Sequence, residues 1–202
     1  MAHLVASLGY AAGFLIVVLG RQQLFTESTL TAVLPVLTQR KMATALNCLR
    51  VWGLVLAANL VGTWIFAAAV AYGHPVKPEV MASLSDLAPD ALQGEAWNTV
   101  LRAMFAGWLI ALMVWLMPSA GSARPVIILI LTYLVALSRL AHVIAGSTEA
   151  AFAVLTHAAG LRDYLLAFLL PTLAGNTLGG AILVALLNHA PVSAELKSER
   201  GR

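Results

Sequence analysis

The chain has 202 residues, of which 60% are hydrophobic and 10% charged, with a formal net charge of +3 and one cysteine, Cys48. Soluble domains carry about a quarter charged residues, and a soluble protein of this size cannot hide so much apolar surface. This excludes a soluble globular domain, a disordered chain and a nucleic-acid binder, and leaves a polytopic membrane protein. A lone cysteine excludes an intrachain disulfide and reads as a small buried apolar side chain.

A helix needs about 20 apolar residues to cross the hydrocarbon core. Five regions qualify. The first, residues 3–37, is too long for one span: it is apolar to Leu19, polar from Arg21 to Thr31, then apolar again. It lacks the basic start and cleavage pattern of a signal peptide. The second covers residues 49–72 and the third residues 97–117. The fourth, residues 126–155, has a polar break around Ser147, Thr148 and Glu149. The fifth, residues 164–187, contains Pro171 and Gly175. Residues 1–190 are expected to form one transmembrane domain, with the first and fourth regions broken. Residues 191–202 are expected to be a short tail.

Basic residues concentrate on alternate loops: Arg40, Lys41 and Arg50 after the first region, Arg124 after the third, and Lys197, Arg200 and Arg202 in the tail. The loop of residues 73–96 carries Glu79, Asp86, Asp90 and Glu95 against Lys77. The positive-inside rule puts the basic loops and the C-terminus in the cytoplasm and Met1 outside. A further helix preceding the first region would supply the missing crossing.

Regions one and four share a plan. Each has an apolar half, a polar break containing Thr-Glu, and a second apolar half, with breaks expected at residues 22–28 and 145–148 that meet near the midplane. Each is followed by a small-Asn-x-x-Gly pattern, at Asn59 to Gly62 and at Asn176 to Gly179. One helix lies between the copies, so they have opposite membrane orientation. Paired interrupted segments point to a substrate site near the midplane, because non-helical backbone survives there only where protein or a water-filled cavity satisfies it.

Within this frame His142 is the leading site residue. Ionisable groups inside membrane segments are rare and functional, and imidazole titrates near physiological pH. Thr26 offers a hydroxyl from the facing break, or a helix cap. Glu27 and Glu149 read as first-turn acids of half-helices, paired with Arg21 and Arg139. They, Gly146 and Ser147 are structural residues of the breaks. Asn59 and Asn176 bond free backbone of the broken loops. His3, His74, His157 and His189 sit near membrane edges without metal-ligand spacing. No metal site, cofactor or catalytic set is read. A hydrolase using Ser147 with His142 lacks a supporting motif. A structural or regulatory subunit with an occluded pore remains the alternative to a transporter.

These residues resemble the formate/nitrite transporter family, and most of all its YfdC-like branch. The resemblance rests on Leu24-Phe25-Thr26 within Arg21 to Glu27, on His142 to Ala145, and on Asn59 to Gly62. Gly175-Asn176-Thr177-Leu178-Gly179-Gly180 and the segment from Arg102 to Leu116 add to it. It implies an aquaporin-like helical bundle with inverted repeats, assembled as a homopentamer in the inner membrane. Each protomer would hold a channel, or a proton-coupled pathway, for small monovalent anions such as formate or nitrite. It also implies that Leu24, Phe25, Phe14 and Tyr10 form apolar gates around His142 and Thr26. The family's first helix has no counterpart here. Ala141 and Gly146 stand where the family has Glu and Asn, and its loop lysine has no match between Asp86 and Trp97.

Overall fold

The computed structural model describes residues 2–92 and 94–184, so the expected tail and His189 lie outside the described residues. Every described element is a helix. The first region is two helices, α1 (Ala2–Leu19) and α2 (Phe25–Gln39). A 32-residue helix follows, α3 (Met42–Gly73), then a short α4 (Pro78–Leu87), which starts on a proline that needs no N–H partner in a first turn. A 3₁₀ turn (Ala88–Leu92) leads to α5 (Ala96–Leu116). The fourth region is again two helices, α6 (Arg124–Leu137) and α7 (Val143–Leu155). The fifth is one continuous helix, α8 (residues 161–184), with π-helical turns at Tyr164–Leu169 and Leu178–Val184. The wider turn before Leu170 lets the helix pass Pro171, which lacks a backbone donor. Among the described residues, three helices are long and apolar enough to cross a membrane: Met42–Gly73, Ala96–Leu116 and Leu161–Ala181.

Both interruptions lie earlier in the chain than the polar residues suggested. The first occupies residues 20–24 and the second residues 138–142. The reason is the way α1 and α6 end. Arg21 and Arg139 adopt left-handed backbone, with φ of 54° and 49°. The N–H of Gln22 reaches the carbonyl of Val17 and that of Arg21 the carbonyl of Val18; Leu140 and Arg139 do the same to Val135 and Ala136. This is the Schellman stop, made here on arginine in place of glycine. Most of the polar residues thought to mark the breaks are inside the second half-helices, and in α2 the hydroxyls of Ser28 and Thr29 fold back on the backbone. Ser28 donates to Leu24 O and Thr29 to Thr26 O. Glu27 is in the first turn of α2, but Glu149 is in the second turn of α7, and Gly146 and Ser147 are also helical.

The true register of the repeat follows from these stops. Leu19 corresponds to Leu137, Arg21 to Arg139, Leu24 to His142 and Phe25 to Val143. The two Thr-Glu pairs are therefore not equivalent; Thr26 corresponds to Ile144.

α1 packs along α6, α3 against α2 and α7, and α5 against α8. The α5–α8 contact is close because its residues are small. A Cβ on Gly107 would strike the Asn176 backbone, and one on Gly179 the backbone of Met104. On the other flank, a Cβ on Gly146 would strike the ring of Phe168, a fully buried side chain.

Candidate functional site

The two half-helix starts meet at the centre of the molecule, where each needs partners for the N–H groups that a helix beginning leaves free. Asn59 of α3 supplies them for α2: its Oδ1 accepts from Phe25 N–H at 2.9 Å and its Nδ2 donates to Gln23 O at 3.0 Å. Asn176 of α8 does the same for α7. Its Oδ1 accepts from Val143 N–H at 2.8 Å and its Nδ2 donates to Ala141 O at 2.9 Å. Asn176 also donates to Ala103 O at 2.7 Å and is wholly buried, so it ties α7, α8 and α5 together. Each asparagine holds a carbonyl and the N–H two residues later, at corresponding positions of the two breaks.

His142 is the N-cap of α7, with extended backbone, and its Nδ1 accepts from Ala145 N–H at 3.2 Å. Its Nε2 lies 2.8 Å from Thr26 Oγ1. Both groups are buried, Thr26 completely. With Nδ1 accepting, a neutral imidazole carries its proton on Nε2 and donates it to the threonine oxygen. Thr26 Oγ1 makes no other hydrogen bond among the described residues, so its own O–H is left to donate. Thr26 is not the cap of α2; that position is Leu24, which makes no side-chain cap.

Aromatic rings close around this pair. Phe14 meets His142 edge-on, with centroids 5.3 Å apart, and Tyr10 stacks on Phe14 at 4.9 Å. Tyr10, Phe14, Leu24, His142 and Thr148 line one cavity of about 300 Å³. Phe25 points away from it and packs against Trp52, whose indole donates to Ser28 O at 3.0 Å. Trp52 is thus a support of the α2 start that sequence reasoning missed. Gly9, Gly13 and Val17 also line the cavity and were missed, although their spacing with Tyr10 and Phe14 puts all five on one face of α1.

The remaining expected residues are placed as follows. Ser147 is buried and takes the hydroxyl of Tyr164 at 3.3 Å, so it serves the α7–α8 contact and does not meet His142. Among the described residues Glu27 has a buried Oε1 without a hydrogen-bond partner, so the Arg21 pairing is not made at that oxygen. Arg139 offers its carbonyl to the guanidinium of Arg102. Glu149 lines a second cavity on the other side of Thr148.

The sequence matches the formate/nitrite transporter family over residues 1–190. It is 39% identical over 199 residues to the inner membrane protein YfdC of Escherichia coli (strain K12), a match that covers 98% of this chain and 64% of that protein. The chain therefore spans somewhat under two thirds of the length of that relative. A solved structure, a pentameric formate channel with formate bound, superposes with a TM-score of 0.77 over 94% of this chain and 83% of its own, at 18% identity. The shared architecture is an all-helical, membrane-embedded bundle with an aquaporin-like fold. On its sequence match, the chain belongs to the formate/nitrite transporter family.

Proposed function

We propose that this chain forms a pathway for small monovalent anions of the formate and nitrite type across the inner membrane. One observation carries the reading: a buried Thr26–His142 hydrogen bond of 2.8 Å at the meeting point of two half-helix starts, with His142 of this pair lining a cavity. The Thr26 O–H, oriented by the imidazole, donates to the anion as it passes. Phe14, Tyr10 and Leu24 form the apolar constriction that strips its water. Asn59 and Asn176 hold the breaks open as the cradle. The pathway is a channel, or carries a proton with the anion, and no covalent catalysis is involved. Residues 1–190 form one transmembrane domain with a cytoplasmic C-terminal tail. Family membership, the inner-membrane relative and the pentameric formate channel support a homopentamer with one pathway per protomer.

The test is formate and nitrite flux into proteoliposomes containing the purified full chain. Flux above protein-free vesicles is expected. Thr26→Val keeps the shape and removes the donor; a hydrogen bond to a charged group is worth about 1.5–3 kcal/mol, so a fall of about tenfold or more is expected. A well-folded parent that passes neither anion overturns the reading and leaves a structural subunit with an occluded pore.

A further inference from the structure

The cavity beside His142 has a neighbour. A second cavity of about 220 Å³ is lined by Ala67 and Val70 of α3, by Leu84 of α4, by Ala88, and by Thr148 and Glu149 of α7. Thr148 lines both cavities, and the described walls of the first contain no residue of α3, α4 or the 3₁₀ turn. The two spaces therefore sit on either side of one turn of α7 and meet at a single side chain. Thr148 is half-buried, neither sealed into the core nor open to the outside. On α7 its neighbour Ala145 lines the first cavity and Glu149 the second.

We infer that the route to His142 is bent: substrate passes beneath α4 and the Ala88–Leu92 turn into the second cavity, then past Thr148 into the first. This rests on the proposed anion pathway but adds a threshold residue, Thr148, and an antechamber roofed by Leu84 and Ala88. Both cavities exceed the roughly 30 Å³ that a water molecule occupies in the liquid, and so admit a formate-sized ion with some of its water. Ala88 is a buried small side chain at the antechamber wall, and a bulky residue there plugs the space without touching Thr26 or His142.

Two measurements separate this inference from the function it builds on. In a Cys48→Ala background, Thr148→Cys is treated with an anionic, water-soluble methanethiosulfonate reagent, with and without Ala88→Trp. Labelling is expected, and Ala88→Trp is expected to slow it at least tenfold. An unchanged rate overturns the bent route, whatever the transport result. In the same background, formate flux through Ala88→Cys is measured before and after the folded, inserted protein is modified with a benzyl methanethiosulfonate. Loss of most flux is expected; complete modification with unchanged flux also overturns the route. A parent that carries no formate while Ala88→Trp still slows labelling refutes the anion pathway alone and leaves the bent water route standing.

Discussion

Asn59 and Asn176 perform one task in two settings, and the difference sets what each is worth. Asn176 is fully buried and makes three hydrogen bonds, whereas Asn59 is half-buried and makes two. Replacing either by alanine strands backbone groups, at about 1–3 kcal/mol for each buried group left unsatisfied. Asn176→Ala is therefore expected to lower thermal stability in detergent clearly more than Asn59→Ala; equal losses would refute the ranking. At His142 the cap and the contact with Thr26 use different nitrogens. Asparagine is a good N-cap but too short to span to Thr26, and phenylalanine can do neither. His142→Asn is expected to keep stability near the parent and lose flux. His142→Phe is expected to lose flux and about 1 kcal/mol of stability, read from the unfolding midpoint.

At the scale of elements, the two breaks are made by backbone geometry more than by polar composition. Both α1 and α6 stop on an arginine with left-handed φ, a conformation that a side chain with a Cβ adopts at a cost and glycine adopts freely. Arg21→Gly and Arg139→Gly are expected to leave each stop intact and stability unchanged or slightly raised. A drop of more than about 1 kcal/mol in unfolding free energy would show that the side chain is needed. The α5–α8 seam is the opposite case. Gly107 and Gly179 allow backbone contact that even a methyl group prevents. Gly179→Val is expected to separate the helices and with them Asn176 from Ala103, so the folded yield in membranes should collapse.

For the whole molecule, exposed apolar side chains mark a surface that does not face water. Leu4, Val5, Leu8 and Ile16 on α1 and Leu54, Val61, Ile65 and Phe66 on α3 are all largely open. Such a surface faces lipid or neighbouring subunits, since water would penalise it by roughly 25 cal/mol per Å². With five copies as proposed, native mass spectrometry from detergent is expected to show a pentamer; only monomers under conditions that preserve helicity would contradict the assembly.

The membrane class, the five regions, the two broken segments and the family were all legible in the sequence, because each rests on long apolar stretches or on several motifs in a fixed order. His142 and Thr26 were legible as a pair worth bringing together, since polar groups at membrane depth are few. The positions of the breaks were less so: the first, expected at 22–28, overlaps the observed 20–24, and the second, expected at 145–148, lies at 138–142. Ser28, Thr29, Ser147 and Glu149 look like interruptions on a hydropathy reading. Yet Ser28 and Thr29 satisfy themselves against the preceding helical turn and Ser147 is met by Tyr164, while the actual stops fall on Gly20–Arg21 and Ser138–Arg139, where no proline marks them. The repeat register was misread for the same reason: matching Thr-Glu pairs is a similarity of composition, whereas matching Schellman stops is a similarity of hydrogen bonding. Only the tertiary structure decided which nitrogen of His142 caps α7 and which meets Thr26. It alone showed that Ser147 serves Tyr164 and that Thr148 stands between two cavities. Those facts depend on contacts between residues far apart in the chain, and no local pattern encodes them.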